Sequence, residues 1–227
     1  MPPADPHRGL IDCRLCPRLV EWRERKATTE RRAAFADQEY WGRPVPSLGA
    51  LDAPILIVGL APAAHGGNRT GRMFTGDRSG EWLFRALHRA GLATSASDEA
   101  PDLALTGARI SAICHCAPPD NKPLTSEVDT CTTTWLAPEL RAMDIEVVVC
   151  LGGMSWNRVM RLASHLGWGV PTPRPRFGHG AEVATPGGPL VIGSYHPSQQ
   201  NTFTGRLTEQ MFDRVWARAV EVAGAPR

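Results

Sequence analysis

The feature that most limits the fold of this chain is a set of four short, β-branched apolar runs separated by segments with helical periodicity. These runs predict buried strands at Pro54–Gly59, Arg109–Cys114, Ile145–Leu151 and Pro189–Tyr195. The segments between and after them predict helices at Ser79–Leu92, Ser126–Met143, Ser155–Leu166 and Leu207–Ala223. Strands that alternate with helices pair in parallel through right-handed crossovers. We therefore expect an α/β fold, an αβα sandwich around a central four-stranded parallel sheet.

The chain length fits one domain that spans residues 1–227. Hydrophobic residues make up 42% of the chain, which is enough to bury one core. Residues 1–50 precede the first strand and predict an N-terminal helical extension, with one helix at roughly Leu19–Phe35. The segment Pro171–Gly188 is expected to be a surface loop with a small hairpin. Ser79 and Thr208 are the expected N-caps of their helices.

The sequence carries no sign of a membrane segment. No apolar run approaches the roughly 18 residues that span a bilayer, and Met1–Arg8 lacks the apolar stretch of a secretory signal. We therefore expect a cytoplasmic protein without membrane association. No oligomerisation element is visible, so we expect a monomer. The net charge of +2 does not by itself indicate nucleic-acid binding.

Polar and glycine-rich segments follow the predicted strands at the point where each strand ends. Because parallel strands end at the same edge of a sheet, ligands of open α/β folds bind beyond those ends. The sequence therefore predicts one cleft that contains His65, Asp77, Asn121 and His196. The loop after the first strand has neither the G-x-G-x-x-G pattern nor the P-loop spacing, so a nucleotide-binding turn is weakly supported.

Six cysteines in a chain without a secretory signal argue against a disulfide framework. Cys13 and Cys16 form a C-x-x-C pair, and Cys116 and Cys131 lie much later in the chain. Four thiolates can hold a [4Fe–4S] cluster or a structural zinc ion, and spacing alone does not choose between them. Cys114 lies beside Cys116 and complicates the assignment of ligands.

Two long motifs carry a resemblance to a known family. The first is GLAPAAHGGNRTGRMFTGD, Gly59–Asp77 (motif A), and the second is HPSQQNTFTGRLT, His196–Thr208 (motif B). Together with the cysteine pattern, they resemble the uracil-DNA glycosylase superfamily, and best its family 5, or type b. The resemblance implies hydrolysis of the N-glycosidic bond of uracil in DNA by base flipping. It also implies activity on hypoxanthine and xanthine, and a structural [4Fe–4S] cluster held by Cys13, Cys16, Cys116 and Cys131, with zinc as the alternative.

The resemblance also assigns catalytic roles. Iron–sulfur relatives carry an acid where this chain has Leu60, and family 5 moves that role to Asp77, which would stabilise the sugar cation or orient water. His196 would donate to the oxygen of the departing base, and the amide of Asn121 would bind the base edge. Asp77 is also a plausible helix cap, and Asn121 a plausible turn residue.

The remaining candidate residues would bind the base or the DNA. The base-binding set is Gly59, Leu60, Ala61, Ala63, His65 and Phe74, with Asn121. The DNA-binding set is Pro197, Ser198, Gln199, Gln200, Asn201, Arg69 and Arg206, from the motif B loop and nearby arginines.

Two other functions are compatible with the sequence. Some superfamily relatives trap the abasic sugar covalently through a histidine, so His65 allows a uracil-DNA-binding protein without turnover. A metal-dependent redox or ligase protein that uses the cluster is the third hypothesis, although no loop suggests a second substrate.

Overall fold

The computed structural model describes residues 5–224 of the chain, and these residues contain five strands. They are β1 (Ile55–Gly59), β2 (Ala108–Ala112), β3 (Val147–Leu151), β4 (Glu182–Val183) and β5 (Leu190–Ser194). The four apolar runs of the sequence are therefore strands, as predicted, with ends that differ by one or two residues; β2 begins one residue earlier than predicted and ends two residues earlier. The predicted domain 1–227 also includes residues 1–4 and 225–227, which lie outside the described residues.

The strands form one mixed sheet in the order β2-β1-β3-β5-β4. β1, β2, β3 and β5 are parallel, and β4 runs antiparallel to β5. The predicted four-stranded parallel sheet is thus one strand short, since the described residues form five strands. β4 lies in the segment Pro171–Gly188, where a hairpin was expected, but it pairs with β5 outside that segment. A two-residue strand is too short to show an alternating pattern.

Helices cover the sheet. They are α1 (Pro17–Thr28), α2 (Gly67–Thr70), α3 (Arg78–Arg89), α4 (Thr125–Cys131), α5 (Ala137–Ala142), α6 (Gly153–His165), α7 (Gln199–Phe203) and α8 (Glu209–Ala223). A π-helical turn at Thr132–Leu136 joins α4 to α5. Short 3₁₀ turns lie at Leu10–Asp12, Ala33–Phe35 and Pro119–Asn121.

Three helix predictions differ from the structure. The helix expected at Leu19–Phe35 already ends at Thr28. The helix expected at Ser126–Met143 is divided by the π turn, which lies just before Pro138, a residue that cannot donate to the preceding turn. The N-cap of α3 is Asp77 and not Ser79. Thr208 caps α8 as predicted, since its hydroxyl accepts from the Met211 amide at 3.2 Å.

Alternate residues of each strand feed two separate cores, which confirms the αβα sandwich. On one face Ile55 and Ile57 of β1 pack with Phe84 of α3 and Trp216 of α8. On the other face Leu56 and Val58 pack with residues of α5 and α6, including the fully buried Trp156. A strand that buries both sets of side chains has a continuous apolar sequence, which is the pattern seen in this chain.

The N-terminal extension is bound to the edge of the sheet. Leu48 exchanges two backbone hydrogen bonds with Ile110 of β2, at 2.9 and 2.8 Å, so it covers the strand edge. Farther back, the Asn68 amide of α2 donates to the Arg23 carbonyl of α1 at 3.2 Å, and both residues are buried. The extension is therefore fixed to motif A as well as to the sheet. No helix within residues 5–224 has the length and apolar character needed to cross a bilayer.

A buried ion pair links β2 to α5. Glu139 is fully buried and accepts from the Arg109 Nε and the Ser111 hydroxyl, each at 2.6 Å, while the His7 imidazole lies 3.5 Å away. Burial alone would raise the pKa of Glu139. The contacts with His7, Arg109 and Ser111 outweigh burial and lower that pKa to about 2.

Replacing Glu139→Gln leaves the Arg109 guanidinium buried without its counter-charge. We expect the free energy of unfolding at neutral pH to fall by about 3 kcal/mol, measured by urea denaturation. The folded-state pKa is depressed, so the wild-type advantage is present above about pH 4.5 and is lost as pH falls towards 2. The control Glu182→Gln removes an exposed pair with Arg218 and should cost less than about 1 kcal/mol. Equal losses in the two variants would contradict the role of Glu139.

Candidate active site

A cleft of about 500 Å³ lies beyond the carboxyl ends of the parallel strands. This volume falls within the roughly 300–1,000 Å³ that small-molecule sites occupy. Most of the residues predicted from the sequence line it: Leu60, Ala61, Ala63, Phe74, Asp77, Asn121, His196, Ser198, Gln199 and Gln200. The structure therefore brings the three predicted catalytic side chains into one cavity, with both motifs on its walls.

Asp77 closes motif A and begins α3. Its Oδ1 accepts from the Ser79 and Gly80 amides at 2.9 and 3.0 Å, which is the bonding of a helix N-cap. The other oxygen, Oδ2, packs against Gly66, where an added Cβ would lie 2.4 Å from it. Burial raises the pKa of Asp77 above its ordinary value, although the two amides oppose that shift. A capping role and a catalytic role of Asp77 are thus compatible, because Oδ1 caps the helix and Oδ2 does not take part in the cap.

Asp98 holds the loop that carries Asp77, and the sequence pattern did not single it out. Its Oδ2 accepts from the Gly76 amide at 2.7 Å, and its backbone carbonyl accepts from Arg72. Asp98 is 5% exposed, and its negative charge adds to the effect of burial on the pKa of Asp77. This residue lies in the segment Thr94–Asp102, which from the sequence is only a polar surface loop.

Phe74 forms part of the cleft through an unusual backbone conformation. Its φ of 52° lies in the left-handed region, which bulky side chains rarely adopt. Its ring lies over the end of β1, where a Cβ on Gly59 would meet it at 2.8 Å. The ring centroid is 5.8 Å from that of His196. Glycine at position 59 therefore makes room for Phe74 and does not itself line the cleft.

His196 follows β5, and burial lowers the pKa of its imidazole to about 4. The ring is therefore neutral at pH 7 and carries one N–H donor. Its backbone carbonyl accepts from the Asn201 amide at 2.9 Å, which fixes the turn between β5 and α7. Asn201 is thus committed to this turn, and Pro197 is buried, so neither presents its side chain freely to DNA.

Asn121 reaches the cleft from the loop after β2. Asp120 and Asn121 both have left-handed φ values, 52° and 54°, in an exposed turn. Asparagine tolerates this region better than most residues, so both the turn role and the cleft role apply. Together with Phe74, these are the non-glycine residues with positive φ within residues 5–224; Phe74 and Asn121 line the cleft, and Asp120 lines the adjoining groove.

Three other predicted residues lie elsewhere. His65 lines a neighbouring groove, and its Nδ1 is 3.0 Å from the Tyr40 hydroxyl. The Arg69 guanidinium donates to the His65 carbonyl, Gln38 and Glu99, so protein acceptors already occupy it. Arg206 is exposed and lies 4.5 Å from the centroid of the Tyr195 ring.

A second, smaller cavity contains the cysteines. Its sulfur-bearing residues are Cys13, Cys16, Cys114, Cys116 and Cys131, so the four predicted ligands come together with one more. Within residues 5–224, no set of three or more candidate ligands is arranged as a metal site. The Cys114 thiol donates to the Cys116 carbonyl at 3.4 Å and is fully buried.

The surroundings of Arg23 indicate whether this cavity suits a metal group. The side chain is 2% exposed, and its guanidinium donates to the Cys116 Sγ at 2.8 Å and to the Cys13 carbonyl at 3.0 Å. The carboxylate of Glu24 lies 4.0 Å away and already binds Arg14 at the surface. A buried cation requires a nearby negative charge, and thiolate ligands would supply it. The all-sulfur donor set and this arginine therefore fit an anionic metal–thiolate group.

Comparison with known proteins agrees with this geometry. The family model of the Uracil DNA glycosylase superfamily matches residues 46–220, which is most of the chain. The chain belongs to the uracil-DNA glycosylase superfamily. Proteins named type-5 uracil-DNA glycosylase are similar to it along nearly its whole length. That of Mycobacterium tuberculosis is 53% identical over 216 residues, covering 93% of this chain and 78% of its own.

Two further relatives show that the similarity extends beyond one group of organisms. The type-5 uracil-DNA glycosylase of Thermus thermophilus is 45% identical, and the alignment covers 95% of each protein. The protein of the same name from Pyrobaculum aerophilum is 43% identical, over 95% of this chain and 91% of its own. The resemblance to type 5 inferred from motifs A and B is confirmed.

The effect of Asp98 on the pKa of Asp77 gives a direct electrostatic prediction. Replacing Asp98→Asn keeps an acceptor for the Gly76 amide but removes a negative charge near Asp77. The pKa of Asp77 should therefore fall towards its ordinary value, measured from the carbon-13 shift of its carboxyl group during a pH titration. The control Glu99→Gln removes an exposed neighbouring carboxylate and should leave the pKa of Asp77 unchanged. An unchanged Asp77 pKa in Asp98→Asn would show that the two groups are not coupled.

Proposed function

We propose that this protein is a DNA-repair glycosylase that hydrolyses the N-glycosidic bond between uracil and deoxyribose. The observation that carries the proposal is the convergence of Asp77, Asn121 and His196 in one cleft of a superfamily member. A base buried in a duplex has to leave the stack to enter such a cleft, at a cost of a few kcal/mol. The substrate is therefore DNA that contains uracil, and the products are free base and an abasic site.

The first requirement of the reaction is to stabilise positive charge on the sugar. As the C1′–N1 bond breaks, its electron pair leaves with the base, and a water oxygen bonds to C1′. The Asp77 carboxylate has a free Oδ2 that can stabilise this cation and accept a proton from the water. Leu60 lines the same cleft but is apolar, so it cannot take that role.

The second requirement is to stabilise negative charge on the departing base. A neutral His196 can donate its N–H to the base oxygen where that charge develops. The Asn121 amide offers one donor and one acceptor to the edge of the base. Phe74 can stack on the flipped ring, and Leu60, Ala61 and Ala63 line the same cleft.

The same cleft supports a broader range of deaminated bases. A recognition edge built from one amide and backbone groups does not select strictly for a pyrimidine, and the cavity has room for a purine. We therefore include hypoxanthine and xanthine among the expected substrates. We also propose that the protein acts as a monomer. The six cysteines, all within the described residues, form no disulfide bonds, and together with a DNA substrate this supports a cytoplasmic location.

The position of His65 argues against covalent trapping of DNA. A trapping histidine needs a ring nitrogen free to attack the sugar. One ring nitrogen of His65, Nδ1, is already hydrogen-bonded with the Tyr40 hydroxyl at 3.0 Å. Repeated turnover is therefore favoured over a single covalent event.

We also propose that Cys13, Cys16, Cys116 and Cys131 hold a [4Fe–4S] cluster, with zinc as the less favoured occupant. The buried Arg23 beside Cys116 and the sulfur-only donor set support this assignment. Cys114 is the remaining thiol, because it already donates to a backbone carbonyl. When bound, the cluster would supply a rigid cross-link between the N-terminal extension and the loop after β2.

Release of free uracil from an oligonucleotide tests the activity. Wild-type protein is expected to release several equivalents of base per enzyme and to leave alkali-labile sites in the DNA. The matched thymine oligonucleotide should remain intact. A stable protein–DNA adduct on a denaturing gel, at one equivalent and without free base, would instead assign the protein to the trapping class.

The cysteine assignment predicts different behaviour for two nearby thiols. The variant Cys116→Ser should lose bound iron and visible absorbance and should unfold at a lower temperature, because one cross-link ligand is gone. The matched variant Cys114→Ser should keep its iron. Iron content by elemental analysis separates the two. The reverse pattern, or stoichiometric zinc in the wild type, would overturn the assignment.

A further inference from the structure

A second groove opens directly beside the base cleft. It has a volume of about 630 Å³ and shares Ala63, Asp77, Arg78, Asn121 and Gln199 with the cleft. A polymer whose base occupies the cleft must leave it in some direction, and this shared wall gives a continuous path. The groove is therefore placed to receive the part of the substrate next to the flipped nucleotide.

The far wall of this groove comes from the N-terminal extension. Trp22 and Lys26 of α1 line it, and so does Arg32 just after that helix. The Lys26 ammonium lies 4.3 Å from the centroid of the Trp22 ring, and it binds Glu30 at 2.7 Å. Cation–π contact and ion pairing together hold this charge at the groove.

The groove also contains cations that the protein does not neutralise. Arg32 and Arg78 line it, and neither has a carboxylate within 4 Å among residues 5–224. The acidic residues of the groove, besides Asp77, are Glu81 and Asp120. The positive charges of Lys26, Arg32 and Arg69 add to burial in lowering the pKa of His65, so these cations converge on one side of the groove.

We propose that this groove binds the phosphodiester backbone next to the flipped nucleotide, through Lys26, Arg32 and Arg78. The inference rests on the proposed glycosylase function, since the polyanion that continues from the cleft is DNA. Arginine and lysine are the usual phosphate contacts of DNA-binding proteins, and Lys26 lines the groove although it also pairs with Glu30. The extension then has two roles: it supplies two cysteine ligands, and it forms one wall of the DNA path. Arg69 does not line this groove and donates to three protein acceptors, so it is not among the proposed backbone contacts.

The salt dependence of binding tests the proposal. The probe is a fluorescent oligonucleotide that carries a tetrahydrofuran abasic analogue, which the enzyme cannot cleave, and anisotropy gives Kd over a range of salt concentrations. Each phosphate contact contributes about 0.7–0.9 to the slope of log Kd against log salt. Lys26→Ala and Arg32→Ala should each weaken binding about five-fold at low salt and reduce the slope by nearly one. The control Arg218→Ala removes an exposed arginine on α8, outside the groove, and should match the wild type.

If Lys26→Ala and Arg32→Ala both fold and both show the wild-type slope of log Kd against log salt, the inference is overturned. That outcome differs from failure of the proposed function. If the wild type releases uracil but the groove variants bind like the wild type, only the backbone contact is wrong. If the wild type neither binds the probe nor releases uracil, both proposals fail.

Discussion

The structure depends on one constraint: parallel strands that cross over through helices must all end at the same edge of the sheet. β1, β2, β3 and β5 obey this rule, and their buried side chains on both faces leave no alternative register. Both motifs and the Asn121 loop begin beyond these strand ends. Residues that are far apart in the sequence therefore line one cleft without any long-range contact between the motifs being required.

Asp77 shows how the fold confines a buried carboxyl group at this edge. Its carboxylate caps α3 through one oxygen, which fixes the side chain without using the other. The loop before it is confined by the bond from the Gly76 amide to Asp98 and by the close contact with Gly66. Strained backbone at Phe74 and Asn121 adds to this confinement. This confinement buries the carboxyl group of Asp77, and the burial raises its pKa.

Local pattern and strand direction were enough to predict the strands, the sandwich and the cleft, and the family resemblance implied the grouping of Cys13 and Cys16 with later cysteines. They did not reveal groups whose role depends on packing between distant segments. In the sequence Asp98 is a loop acid and Arg23 is one arginine of an amphipathic helix, yet both are buried against a functional residue. β4 was too short for any periodicity. Arg69 belongs to motif A, but only the structure shows that protein acceptors occupy its guanidinium.

The central claim is that the charge of Asp77, and not only its capping bond, drives the reaction. The most direct measurement compares kcat for uracil release and the melting temperature in Asp77→Asn. Asparagine caps helices about as well as aspartate, so the melting temperature should stay within a few degrees of the wild type. We expect kcat to fall about 100-fold or more, because an amide cannot stabilise the sugar cation. A variant that keeps near wild-type kcat at unchanged stability would show that the charge of Asp77 is not required for the reaction.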